Sequence, residues 1–255
     1  MKLGLKLWTT NLHYIDLAAQ LFHKGVYDYI ELFFVPESGL LIEKWATLNI
    51  PVVVHAPHTV KGLNPAIHSA YPENLRLANE TFECARKLQS SMIIFHPGMG
   101  GSAEETIRQL RGFGHASDIV IENKPYHSLT DPTLLCRGSN PEEMKLITES
   151  TKTGFCLDVG HAICSANSIH RDPFEYLQEF LTLKPSIIHL SDGTFDSVLD
   201  SHLNFGKGTF PLKQLLELIP KDLPLSVETN KNYSDSLRDF EEDIGYLRNL
   251  VDELR

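Results

Sequence analysis

Six short β-rich runs in this 255-residue chain carry a side chain able to ligate a metal at or near their C-terminal ends: His55 in "PVVVHAP", His96 in "SMIIFHP", Glu122 in "DIVIENK", Asp158 in "GFCLDVGH", His189 in "SIIHLSD" and Glu228 in "PLSVETN". Taken singly, each reads as a hydrogen-bonded loop residue, a salt-bridge partner or a helix cap. Taken together they do not, because unpaired carboxylates buried side by side cost several kcal/mol each. A bound cation removes that penalty. The chemistry these residue types predict is therefore that of a metal centre, provided the fold brings the six ends to one place.

The rest of the chain supplies such a fold. Two further β-rich runs, "LGLKL" and "YDYIELFF", precede the six, so eight in all alternate with stretches of helical spacing such as "NLHYIDLAAQLFHKG", "PENLRLANETFECARKLQS" and "SDSLRDFEEDIGYLRNLVDEL". Asn140-Pro141-Glu142-Glu143 and Asp172-Pro173 read as helix starts, with a side-chain oxygen at the cap and proline in the first turn. Eight strand–helix units fit a (β/α)8 TIM barrel of one domain over residues 1–255, close to the usual length of about 250 residues. No GxGxxG follows the first strand, which weakens the competing doubly wound sheet. A barrel gathers the C-terminal ends of its strands into one ring, so the six residues are expected around a single cavity.

Composition narrows the partners. A formal charge of −10 argues against a broad phosphate-binding surface, since nucleic-acid affinity rests on Lys and Arg displacing counterions. No apolar run approaches the roughly 18 residues of a membrane span, and the first residues lack a secretory h-region, so a cytoplasmic location and no membrane partner are expected. Cys84, Cys136, Cys156 and Cys164 form no CxxC pair and read as reduced thiols. There is no GxSxG elbow, and no histidine is evidently paired with a cysteine, so covalent hydrolase chemistry has little support.

"VVHAPH", "FHPG", "IEN", "LDVGHA", "IHLSDG", "DSHLNFGKG" and "SVETN" resemble, in order and approximate spacing over residues 50–230, the xylose isomerase-like TIM-barrel superfamily. That group holds endonuclease IV and sugar isomerases and epimerases of the tagatose epimerase type. The resemblance implies a central metal site made of Glu122, Asp158, His189 and Glu228. In the endonuclease pattern two more ions are held, one by His55 and His96 with a shared Glu122, the other by His161, Asp200 and His202; all nine positions carry the matching residue type. One to three divalent ions are thus expected, and a mixed oxygen and nitrogen set admits Zn, Mn, Mg or Co.

Two chemistries follow from the resemblance. In an isomerase or epimerase of a sugar or sugar phosphate, Glu122 and Glu228 would be both ligands and the acid/base pair, lying on strands three places apart in an eight-membered ring. In an endonuclease IV-like phosphodiesterase acting at abasic DNA, clustered zinc ions would activate water. The small-molecule reading is favoured, because "KPYHSLTDP" replaces the endonuclease's glycine-rich stretch after "IEN" and "FFVPESGL" holds no long basic and aromatic insertion. Lys124, Arg137, Lys207 and His58 are expected at the substrate, with Trp8 as a further wall residue. Asp192 is expected either to orient His189 or to cap the loop after it.

Overall fold

The computed structural model describes residues 1–254. Its elements run β1 (Leu3–Trp8), α1 (Ile15–His23), β2 (Tyr29–Phe33), α2 (Ile42–Ala46), β3 (Val52–His55), α3 (Tyr71–Lys87), β4 (Ile93–Phe95), α4 (Ala103–Phe113) and β5 (Ile119–Glu122) in the first half. The second half adds α5 (Pro141–Thr151), β6 (Gly154–Asp158), α6 (Val159–Ser168), α7 (Pro173–Leu181), β7 (Ile187–Leu190), α8 (Leu212–Leu218), β8 (Leu225–Val227) and α9 (Arg238–Glu253). The strands pair in chain order and close into a barrel, each parallel to its neighbour, with β8 returning to β1. Each of the eight β-rich runs of the sequence forms one of these strands. Among the described residues no helix is long and apolar enough to cross a membrane.

The period-2 alternation of a strand divides the apolar residues into two cores. Ile30 and Leu32 of β2 point outward into the large core shared with the helices, where Leu77, Leu110, Ile147 and Phe180 meet them and the equivalent residues of the other strands. Tyr29 points inward, where Ile94, Val120, Cys156 and Ile187 fill the lumen with Val53 and Met92 packed against them. Burying each such aliphatic side chain stabilises the fold by about 1.5–3 kcal/mol. Gly4 makes room for this packing: a Cβ there would stand 2.4 Å from the Tyr29 ring.

Helix starts follow the expected chemistry. Asn140 Oδ1 accepts the Glu143 N–H at 2.8 Å and Asp172 Oδ1 accepts that of Glu175 at 2.9 Å, with Pro141 and Pro173 in the first turns of α5 and α7. One helix was not expected. Residues 159–166 of α6 are all buried, so the segment has no polar face and its periodicity is silent in the sequence. It starts directly off β6 because Asp158 Oδ1 accepts the His161 N–H at 2.7 Å, a cap worth about 1 kcal/mol.

Candidate metal centre

Glu122, the last residue of β5, is the hub of the barrel mouth. Its Oε2 lies 3.0 Å from His55 Nε2, 3.1 Å from His96 Nε2 and 3.5 Å from His189 Nδ1. Its Oε1 lies 3.1 Å from His161 Nδ1. Four strand or helix segments thus aim an imidazole at one buried carboxylate. Burial works against its charge, but His96, Lys124 and His161 hold it well below the usual carboxylate range.

The first cluster is His55, His96 and Glu122, whose ligand atoms lie within 4.8 Å of one another. His55 Nδ1 is 2.8 Å from the Ala56 carbonyl, which can only accept, so the ring proton sits on that nitrogen. Burial pushes both imidazoles toward the neutral form, His96 strongly so. The His55 Nε2 lone pair then faces a carboxylate oxygen. Two acceptors at that distance fit a shared cation better than each other.

Around His189 the same pattern recurs. Glu228 Oε1 is 2.7 Å from Nδ1 and Glu31 Oε2 is 2.9 Å from Nε2, yet neither ring nitrogen has the alignment of a hydrogen bond. Glu31, His189 and Glu228 form a second cluster, completely or almost completely buried. Glu31 comes from the middle of β2, and Lys6 of β1 bridges it to Glu228, at 3.2 Å from Glu31 Oε1 and in direct contact with Glu228 Oε1. Neither Lys6 nor Glu31 stood out in the sequence as a strand-end residue. Their signal was a lone charge at an inward position of an otherwise apolar run.

Asp158 joins Glu122 and His161 in a cluster of its own. Its backbone is held on both sides by Asn123, whose Oδ1 accepts the Asp158 N–H at 2.7 Å while its Nδ2 donates to the Asp158 carbonyl at 2.9 Å. This explains the Asn of "IEN". Of the four residues expected at one central ion, Glu122 meets both Asp158 and His189, and His189 meets Glu228; Glu31 rather than Asp158 completes the His189 cluster.

The last cluster is His161, Asp200 and His202. Asp200 Oδ2 lies 3.2 Å from His161 Nε2 and 2.6 Å from His202 Nε2. Burial opposes charge on His161, but Asp158 and hydrogen bonds to Asp200 and Glu122 raise its pKa to about 10. Asp200 and His202 ride on the loop after β7, and Asp192 ties that loop down. Its carboxylate accepts backbone N–H groups from Gly193, Gly206, Gly208 and Phe210 at 2.8–3.1 Å, so of its two expected roles it performs loop capping. Gly208 is required there, since a Cβ would meet the Gly193 carbonyl oxygen at 2.3 Å. His202 holds the left-handed φ of +46°, a conformation unfavourable for a side chain with a Cβ.

A cavity of about 700 Å³ opens above these clusters, with Lys6, Trp8, Phe33, His58, Lys124 and Lys231 in its wall. His58 stacks 5.9 Å from His96, and burial, with His55 nearby, pushes its pKa down to about 3. Lys124 Nζ lies 3.5 Å from Glu122 Oε1 and 3.3 Å from His161 Nε2. Two expected substrate contacts are not brought here. Arg137 Nη1 turns to Glu143 Oε1 at 3.1 Å, and Lys207 is exposed on the loop held by Asp192, outside the cavity wall.

The comparisons agree with this architecture. A D-tagatose 3-epimerase-like protein superimposes with a TM-score of 0.74 at 21% identity, over 99% of this chain and 97% of its own. Endonuclease IV from Thermus thermophilus gives 0.70 at 19%, over 99% and 100%. Another protein of that organism, soaked with ZnCl2, gives 0.70 at 20%, over 100% of both chains. At these identities the likenesses establish the fold. No curated protein matches the chain. The xylose isomerase-like TIM barrel family model matches residues 25–250, a span that holds every ligand candidate from Glu31 to Glu228, and the chain belongs to that family.

Proposed function

We propose that the chain is a divalent-metal-dependent isomerase or epimerase of a small sugar or sugar phosphate, moving a proton next to a carbonyl. The observation that carries this reading is that Glu122 of β5 and Glu228, directly after β8, both line one cavity and both reach His189 Nδ1. His189, Glu122 and Glu228, with Asp158, the ladder partner of His189 on β6, would hold the ion. Zinc, manganese, magnesium or cobalt bound there would supply a Lewis acid that polarises the substrate carbonyl and acidifies the neighbouring C–H.

The chain's own residues do the rest. One glutamate takes the proton from the carbon beside the carbonyl, and the other gives a proton back. Return to the same carbon from the opposite face inverts it, whereas return to the former carbonyl carbon, with the neighbouring hydroxyl proton passing to the former carbonyl oxygen, moves the carbonyl along the chain. Trp8 and Phe33 offer an apolar wall to the sugar, and Lys6 and Lys124 offer ammonium donors to its oxygens or to a phosphate. The volume of about 700 Å³ is in the range of small-molecule sites. Likeness to a D-tagatose 3-epimerase-like protein favours this substrate class, and the four free, buried thiols suit a reducing cytoplasm. The test is exchange in D2O: the metal-loaded chain, given aldoses, ketoses and their phosphates, should place deuterium on the carbon beside the carbonyl. No exchange with any of them would overturn the proposal.

The last cluster favours one alternative. His161, Asp200 and His202 complete the ligand count of an endonuclease IV-like three-zinc phosphodiesterase, and the likeness to endonuclease IV and to a ZnCl2-soaked protein lies in the same direction. Against it stand the net charge of −10 and the short connection between β2 and α2, residues 34–41. Three bound zincs with incision of an abasic duplex would reverse the ranking.

A further inference from the structure

We propose that Glu31 is a positioning residue that sets the working tautomer of His189, and that Lys6 is a tethered cation competing with the metal for Glu228. The proposal rests on the metal centre of the reading above. Both residues lie inside the barrel on adjacent strands, paired Cα to Cα in the β1–β2 ladder.

Glu31 is fully buried and held by Ser226 and Lys6. Ser226 Oγ of β8 donates to its Oε2, the Tyr29 hydroxyl lies 2.9 Å from the same Ser226 oxygen, and Lys6 Nζ stands 3.2 Å from Oε1. So fixed, its Oε2 sits 2.9 Å from His189 Nε2. A cation held at Nδ1 would leave Nε2 as the one nitrogen for the ring proton, and Glu31 is the carboxylate that faces it. The Nδ1 lone pair is then left facing Glu228 at 2.7 Å and Glu122 at 3.5 Å, where a metal would bind. A carboxylate behind a ligating imidazole fixes the ring and raises its basicity.

Lys6 acts in the opposite sense. Its ammonium rests on Glu228 Oε1, the same oxygen that lies nearest His189 Nδ1. Two cations drawn to one carboxylate oxygen repel each other at close range. Binding of the ion therefore has to push the lysine charge toward Glu31 or up into the cavity, whose wall Lys6 already forms. The two residues of one buried ion pair should thus shift metal affinity in opposite directions, which a purely structural ion pair would not do.

The experiment uses metal-free preparations of the wild-type chain, Glu31→Gln, Glu31→Asp and Lys6→Met, each titrated with Zn²⁺ and Mn²⁺ against a chromophoric chelator. Circular dichroism records that the fold is kept. Glu31→Gln should bind about 10–100-fold more weakly. Glu31→Asp should recover part of that loss, and Lys6→Met should bind several-fold more tightly than wild type. Should Glu31→Gln fail to fold, the sign of the Lys6→Met change still decides. A wild-type chain that takes up neither ion overturns the metal centre itself, and this proposal with it. Wild-type binding with Lys6→Met unchanged or weaker, or with a folded Glu31→Gln unchanged, overturns this proposal alone.

Discussion

Glu122 Oε2 lies 3.0 Å from His55 Nε2 while the other nitrogen of that ring is 2.8 Å from the Ala56 carbonyl. With its proton committed to the carbonyl, the neutral imidazole and the carboxylate present acceptors to each other, an arrangement that one cation resolves. Because the same carboxylate also meets His96, His161 and His189, its replacement should affect every cluster. Glu122→Ala is expected to lower bound metal at more than one site and to reduce proton exchange at least about 100-fold. Elemental analysis beside a deuterium-exchange assay checks both.

His161 gives a pH dependence with a defined sign. Its folded pKa of about 10 stands above the usual histidine value of about 6.5, so the charged ring contributes stability that is fully present below about 6.5 and lost as pH rises through about 10. Urea unfolding of the metal-free chain and of His161→Gln should show an advantage for wild type at pH 6.5 that shrinks by pH 10. The comparison between the two chains is needed because Lys231, lowered to about 8 by burial, works in the opposite sense over part of that range.

Asp192 carries the loop of the His161, Asp200 and His202 cluster. Asp192→Ala leaves backbone N–H groups of Gly193, Gly206, Gly208 and Phe210 without their acceptor, and a loss of about 3 kcal/mol is expected. For a chain of this size that lowers Tm by roughly 6–12 °C, readable by thermal denaturation. Gly208→Ala should act in the same direction, because its new Cβ meets backbone rather than a movable side chain.

Gly4 tests the lumen. Gly4→Ala drives a methyl group into the Tyr29 ring, 2.4 Å away, and should destabilise the chain by about 1–3 kcal/mol. Since Tyr29 contacts Ser226, which donates to Glu31, the same substitution should also weaken metal binding, as chelator competition would report.

Substrate contacts separate by position. Lys207→Ala should leave kcat/KM within about twofold, because an exposed charge outside the cavity contributes little. Lys124→Met should lower it by about tenfold or more for a phosphorylated substrate, mainly through KM, as steady-state kinetics on matched substrates would reveal.

The sequence made the eight strands legible because β-branched and apolar runs were short, regular and separated by helical spacing, and the same pattern located His55, His96, Glu122, Asp158, His189 and Glu228 at strand ends. Three things escaped it. Helix α6 is buried on all sides, so no polar stripe marks it. Lys6 and Glu31 lie within strands, where a charge reads as a defect until the barrel closes and pairs it. Arg137 and Lys207 carry the right chemistry in the right loops, but side-chain direction in a loop depends on contacts such as Glu143, which spacing does not encode.

The join between β1 and β8 has a meaning for biosynthesis. Lys6 and Glu228 are 222 positions apart and meet only across that join, so a nascent polypeptide still lacking its eighth strand has Glu31 and His189 but no Glu228 to set beside them. The Glu31–His189–Glu228 cluster is complete only once β8 lies paired between β7 and β1.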